Sequence, residues 1–392
     1  MAKISGLQIK KRVHHIIMLI VVQAFFFACE RDDPPVEPPP ASHRRTTLVY
    51  FGTDNNFRAE AAQKTGQLKS GWNKDIDGNL LVYTDAGSRP ALIHIYAHPQ
   101  KGNVADTVET YPPENSAGAA TLTRVLNRVR EYRPAASYGL VVLSHATGWL
   151  PAAMSYPSPQ LRSVILDNGT AETGNYMELA DFAAAIPYKM DFIVFDACFM
   201  GSVEVCFELK EKTDYIVASP AEVVSPGFVY STMPERLFTY PQADLQGVAQ
   251  DFHGFFNAQS GLFRSATVSV ARTAGLDAVA GIFKEVAGQA GNEKDVNLNA
   301  IQTFGYGQQK IYFDLGDCAR HLSPDSYHEL IAALDGCIVY KAHTDSYYTA
   351  GAATLLPIRS FSGLSVYIPQ SAYPEANAKY RELKWTAGFG AP

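Results

Sequence analysis

From residue 46 onward the chain repeats one pattern, a short run of β-branched and aromatic residues followed by a stretch of helical periodicity. The runs occupy 46–51 (TTLVYF), 80–83 (LLVY), 91–96 (ALIHIY), 138–144 (YGLVVLS), 191–195 (DFIVF) and 215–218 (YIVA). They are nearly continuous in apolar residues, where a strand with one wet face would alternate, so they read as strands buried on both faces. Helical patterns at 58–68, 119–130, 177–185 and 201–210 lie between them. Parallel neighbours need a crossover connection, and a helix supplies it while covering the sheet. The expected fold is therefore α/β, a mostly parallel sheet flanked by helices (an α/β/α sandwich) over residues 46–240. Beyond Tyr240 the pattern loosens: a helix near 245–257, a strand at 266–270, a helix to about 287, and late strands at 337–340 and 364–368. Residues 241–392 are expected to form a C-terminal α+β extension packed on the first region.

The amino terminus follows a different rule. A basic region ending at Arg12 precedes the apolar run 16–28, which is shorter than the roughly 20 residues a membrane span needs and reads as an export signal over 1–28. It ends at Ala28-Cys29 after Phe26 and Phe27, which resembles a bacterial lipobox and makes Cys29 the expected lipidation site; the plainer reading is a secretory signal with an incidental cysteine. Residues 29–45 contain Glu30-Arg-Asp-Asp-Pro-Pro-Val-Glu-Pro-Pro-Pro40, an acidic, proline-rich tether. The expected location is the cell envelope, with the membrane reached through a lipidated Cys29. Without the first 28 residues the chain carries 29 basic and 39 acidic groups, a balance of −10. An acidic body with no basic stripe argues against nucleic acid as a partner.

In open parallel sheets ligands bind beyond the carboxyl ends of the strands. Two strands end there in reactive side chains, Val141-Val-Leu-Ser-His145 and Ile193-Val-Phe-Asp196-Ala-Cys198. Cys198 precedes an expected helix whose first amides would lower the thiol pKa. A cysteine nucleophile with a histidine to protonate the leaving amine suffices for acyl transfer. On composition alone each residue could equally be a buried structural group. Cys206, Cys318 and Cys337 complete the thiols; Cys318 and Cys337 either pair as a disulfide or remain separate buried thiols, and no spacing identifies a metal site. His94 and His98 fall on a strand pattern without the following Glu of a zinc helix, and no Gly-x-Ser-x-Gly elbow or phosphate-binding loop occurs. Asn55 and Asn56 are expected to cap the first helix.

The sequence resembles the clostripain family of cysteine peptidases, which share the fold of caspases and gingipains. The family histidine motif Ser-His-Gly-x-Gly-Trp stands here as Ser144-His145-Ala146-Thr147-Gly148-Trp149, and the cysteine motif as Phe195-Asp196-Ala197-Cys198-Phe199-Met200-Gly201-Ser202-Val203-Glu204. Weaker matches are 48–56, 218–222 with Pro226-Gly227, 312–315 and 363–369. The resemblance implies an endopeptidase acting on peptide or protein substrates, with His145 and Cys198 as the catalytic pair and the amides of Ala146 and Cys198 as the oxyanion hole. Asp196 matches the aspartate at the base of the S1 pocket, which would select Arg or Lys by charge-assisted hydrogen bonds; its plain alternative is a turn or capping residue. The chemistry needs no cofactor, although calcium dependence occurs in the family, with Asp167, Glu172 and Asp181 as acidic candidates. Some members cut themselves between the two motifs, and Arg162 is the basic residue in the loop 150–167. Ala146 departs from the family glycine. If that turn demands positive φ, alanine is strained and the chain becomes a weakened relative, a cell-surface peptide-binding protein without turnover.

Overall fold

A computed structural model describes residues 43–85, 89–151, 154, 164–167, 175–289, 297–305 and 309–387. In chain order the elements are β1 (His43–Gly52), α1 (Arg58–Gly71), β2 (Gly78–Asp85), β3 (Ala91–His98), β4 (Gly102–Thr110), α2 (Ala119–Tyr132), β5 (Ala135–Leu143), β6 (Ile165–Asp167) and β7 (Asn175–Met177). There follow α3 (Leu179–Ala185), β8 (Met190–Asp196), α4 (Val203–Glu208), β9 (Thr213–Ala218), α5 (Met233–Leu237), α6 (Leu245–Asn257), β10 (Thr267–Arg272) and α7 (Leu276–Gln289). The chain ends with β11 (Phe313–Asp314), α8 (Leu315–Leu322), α9 (Pro324–Cys337), β12 (Ile338–His343), β13 (Ser346–Thr349), β14 (Thr354–Pro357), β15 (Ser365–Val366) and α10 (Pro374–Tyr380).

Nine strands form one sheet in the order β12-β10-β9-β8-β5-β1-β2-β3-β4. The centre, β9-β8-β5-β1-β2, is parallel, and antiparallel strands close both sides. Side chains alternate between two separate cores. Leu48 and Tyr50 of β1 point to one with Leu126 of α2 and Phe182 of α3, and Val49 and Phe51 to the other with Leu68 of α1 and Phe252 of α6. Both faces are covered, which is why the central runs are apolar without interruption. The result is the expected α/β/α arrangement as a mixed sheet.

Residues after 240 contribute β10 and β12 to this sheet. Edge strand β4 went unread in the sequence because Gly102–Thr110 is polar and half exposed. Helices α8 to α10 read only as loose segments, and Cys337 closes α9 where a strand start was expected. Of the two alternatives for Cys318 and Cys337, the disulfide is overturned: both are free and buried, and the Cys337 thiol faces the Arg272 carbonyl at 3.2 Å.

Candidate functional site

The pairing of β5 with β8 sets Leu143 opposite Asp196. Two residues beyond each, His145 and Cys198 leave the sheet abreast at the carboxyl edge of its parallel centre. Both line one small cavity with Phe57, Glu60, Lys64, Asp196, Val223 and Gly227. The strand ends are tied by side chains: the Ser144 hydroxyl donates to Gly52 O at 2.9 Å and accepts from Leu166 N at 3.0 Å.

His145 is held on two sides. Phe57 stacks on its ring at 4.1 Å, and Asn56 Oδ1 lies 2.7 Å from Nε2. With a carbonyl-type oxygen as partner, Nε2 carries the proton and Nδ1 keeps its lone pair. Burial pushes the imidazole down to about 4, so it is neutral at pH 7.

Cys198 departs from the sequence expectation. Helix α4 begins at Val203, capped by the Ser202 hydroxyl, which accepts from Val205 N at 3.3 Å. The cysteine lies upstream in an irregular turn and receives no first-turn amides of α4. Packing around the sulfur, together with the Glu222 and Asp196 carboxylates, pushes the thiol up to about 12; backbone donors, Val223 N at 3.3 Å and the amide of Cys198 itself, work in the opposite direction. The resting pair is a neutral thiol and a neutral imidazole.

The two loops are locked to each other. Gly148 has φ +65°, and a Cβ there would meet Phe199 O at 2.7 Å, so this glycine of the histidine motif is required. Phe199 itself holds φ 60°, anchored by its N–H to Ala221 O at 3.0 Å. Tyr312 bridges both loops, stacking on Phe199 at 4.6 Å and donating its hydroxyl to Thr147 O at 2.5 Å. From below, Ser365 N donates to Gly201 O at 3.0 Å and Tyr367 N to Glu204 Oε1 at 2.7 Å. The C-terminal region thus supplies the clamp on the site. Among the described residues only Phe199 and Ala353 are non-glycine with positive φ, so Ala146 is unstrained and its N–H is retained.

A profile of the Clostripain family matches residues 49–382, from β1 past α10. The chain belongs to the clostripain family. It is 23% identical over 223 residues to clostripain of Hathewaya histolytica, a stretch that is 48% of this chain and 41% of that protein, so the match spans less than half the length of this relative. Among solved structures, it resembles an inactive zymogen C11 protease from Parabacteroides distasonis at 31% identity and TM-score 0.77, covering 89% of this chain and 98% of that one. A secreted C11 cysteine protease from Bacteroides thetaiotaomicron, solved with an irreversible peptide inhibitor, matches at 26% identity and TM-score 0.78 over 88% and 98% of the two chains.

In this clostripain-family chain Asp196 is not the cap of α4; Ser202 is. The Asp196 carboxylate lies beside Gly227, whose φ is +73° and where a Cβ would come within 2.2 Å of Oδ1. Its second oxygen is 2.6 Å from Lys64 Nζ, a contact the sequence did not suggest. Asn56 was also missed: Asn55 makes the local turn, its Oδ1 accepting from Phe57 N at 2.8 Å, while Asn56 serves His145 and neither side chain caps α1. The signal was present as the matched segment 48–56, yet a helix cap and a histidine partner look alike in one dimension. Asp167 is engaged by Ser116, whose N–H and hydroxyl lie at 2.6 and 2.9 Å, and Asp181 sits on the exposed side of α3. Among the described residues no three His, Cys, Asp or Glu gather as metal ligands. Cys29, Arg162 and Glu172 lie outside the described residues.

Proposed function

We propose that the protein is an exported cysteine endopeptidase in which Cys198 is the nucleophile and His145 the general base and acid. One observation carries this reading: equal register of β5 and β8 brings the imidazole and the thiol to the same cavity. Because both groups rest neutral, the thiol proton passes to His145 Nδ1 as sulfur attacks the peptide carbonyl. Asn56 at Nε2 holds the ring in the required tautomer and stabilises the imidazolium. The amides of Ala146 and Cys198 receive the oxyanion. The imidazolium then protonates the leaving amine, and water, deprotonated by His145, hydrolyses the thioester. No cofactor takes part in these steps.

Asp196, a buried carboxylate on the same cavity, is proposed as the floor of S1, favouring Arg or Lys before the scissile bond. The peptide-inhibitor complex of the Bacteroides relative supports a peptide substrate, and its secretion supports export. Tethering through lipidated Cys29 and self-cleavage after Arg162 complete the proposal. The alternative of a binding protein without turnover drew on strain at Ala146, and the backbone there carries none. The test is hydrolysis of fluorogenic peptides ending in Arg or Lys by the full chain in detergent, with and without calcium. Turnover abolished by Cys198→Ala is expected; turnover indifferent to that change, or absent on every peptide, refutes the reading.

A further inference from the structure

We propose that Lys64 is a specificity-determining residue that occupies, from within the chain, the place a basic substrate side chain would take. This rests on the reading of Asp196 as the floor of S1. Lys64 projects from α1 into the cavity and is 3% exposed. Its Nζ lies 2.6 Å from Asp196 Oδ2, 3.6 Å from Glu60 Oε2 and 4.8 Å from the centre of the Tyr230 ring. A carboxylate at the base, a second at the mouth and an aromatic wall are the groups that would receive an incoming guanidinium or ammonium. They are already satisfied by Lys64. Asp196 Oδ1 faces Phe228 N at 3.4 Å and Oδ2 is bonded to Lys64, so an incoming cation meets a carboxylate that already carries a charged partner.

Space agrees with charge. The space left beside Lys64, His145 and Cys198 is about 20 Å³, room for about one water. A basic side chain that takes Asp196 Oδ2 must drive Lys64 off it, towards partly exposed Glu60, and it meets a like charge as it does so. A neutral side chain faces no such exchange. Lys64 therefore suppresses the preference for basic over neutral residues that a bare carboxylate would confer.

The experiment measures kcat/KM on matched fluorogenic peptides carrying Arg, Lys, norleucine or Gln at the position before the cleaved bond, using the full chain in detergent. Wild type is expected to favour the basic peptides less than tenfold, and Lys64→Met to raise the basic-to-neutral ratio at least tenfold. Asp196→Asn added to Lys64→Met should cancel that gain. Lys64→Gln, which can still donate to Asp196 without charge, covers the case in which Lys64→Met does not fold, and should raise the ratio in the same direction. An unchanged ratio in the folded variants overturns the proposal. A second readout needs no turnover: in a Cys198→Ala background, calorimetry should show benzamidine binding at least tenfold tighter once Lys64 is Met or Gln. Equal affinities overturn the proposal, whereas loss of all Cys198-dependent hydrolysis with tighter benzamidine binding would count against the peptidase reading and leave the role of Lys64 standing.

Discussion

Exchanging the two small residues of the histidine loop, one at a time, tests how the site is built. Gly148→Ala places a Cβ at 2.7 Å from Phe199 O on a residue with φ +65°. Ordinary contact begins near 3.4 Å, so the histidine and cysteine loops must part by a few tenths of an ångström or more. Left-handed backbone costs alanine about 1–2 kcal/mol and overpacking a buried contact about 1–3 kcal/mol, together roughly 2–5 kcal/mol. At about 2 cal/mol/K of unfolding entropy per residue, a body of some 350 residues loses a little over 1 °C for each kcal/mol, so Tm should fall by roughly 3–7 °C. Misplacement approaching 1 Å costs up to about a hundredfold in rate, so kcat/KM should fall roughly ten- to a hundredfold. Ala146→Gly, the residue the family carries, should do almost nothing: kcat/KM within about threefold and a stability loss of about 0.4–1 kcal/mol from added freedom in the unfolded chain. Scanning calorimetry and steady-state hydrolysis on the three proteins read both effects. Wild-type behaviour of Gly148→Ala, or a tenfold gain from Ala146→Gly, would refute the assignment of the essential glycine to 148.

Three further outcomes follow from the same geometry. Asn56→Ala should lower kcat about ten- to a hundredfold with little change in KM, and Asn56→Asp should move the acid limb of the rate profile upward because a carboxylate favours the imidazolium; an unmoved limb would reduce Asn56 to a bystander. Burial disfavours the charged form of His145, so the base stays available as pH falls until it protonates near 4, and kcat/KM should hold through about pH 5.5, where an ordinary histidine would be mostly protonated; an inflection between 6 and 7 contradicts this. For Cys198 the shift has the opposite sign. With the thiol at about 12, its thiolate fraction at pH 7 is on the order of 10⁻⁵, against a few per cent for a free thiol, so iodoacetamide labelling should rise about tenfold per pH unit from 7 to 10; a plateau below pH 7 would reveal a thiolate-imidazolium pair.

The central strands were legible because their burial on both faces writes itself as unbroken apolar runs, and a helix near 245–257 was legible from its periodicity; the structure adds the Asp244 cap, whose side chain accepts from Gly247 N. Strand β4 was not legible, since an edge strand borrows its hydrogen bonds from β3 while keeping a polar sequence. The expected depression of the Cys198 pKa failed for a local reason. A helix drawn from 201 starts at 203, and the electrostatics of a thiol follow from which carboxylates and amides surround it, here Glu222, Asp196 and Val223.

Sequence alone determined the α/β class and pointed to the carboxyl edge, with His145 and Cys198 as candidates there, because hydrophobic period and strand ends are properties of neighbouring residues. Tertiary structure alone decided that Asn56 holds the histidine, that Tyr312 clamps both loops from 165 residues beyond Thr147, and that Lys64 rather than solvent faces Asp196. Those contacts join segments far apart in the chain, and an ion pair between residues 132 positions apart leaves no period, spacing or composition by which either partner could announce the other.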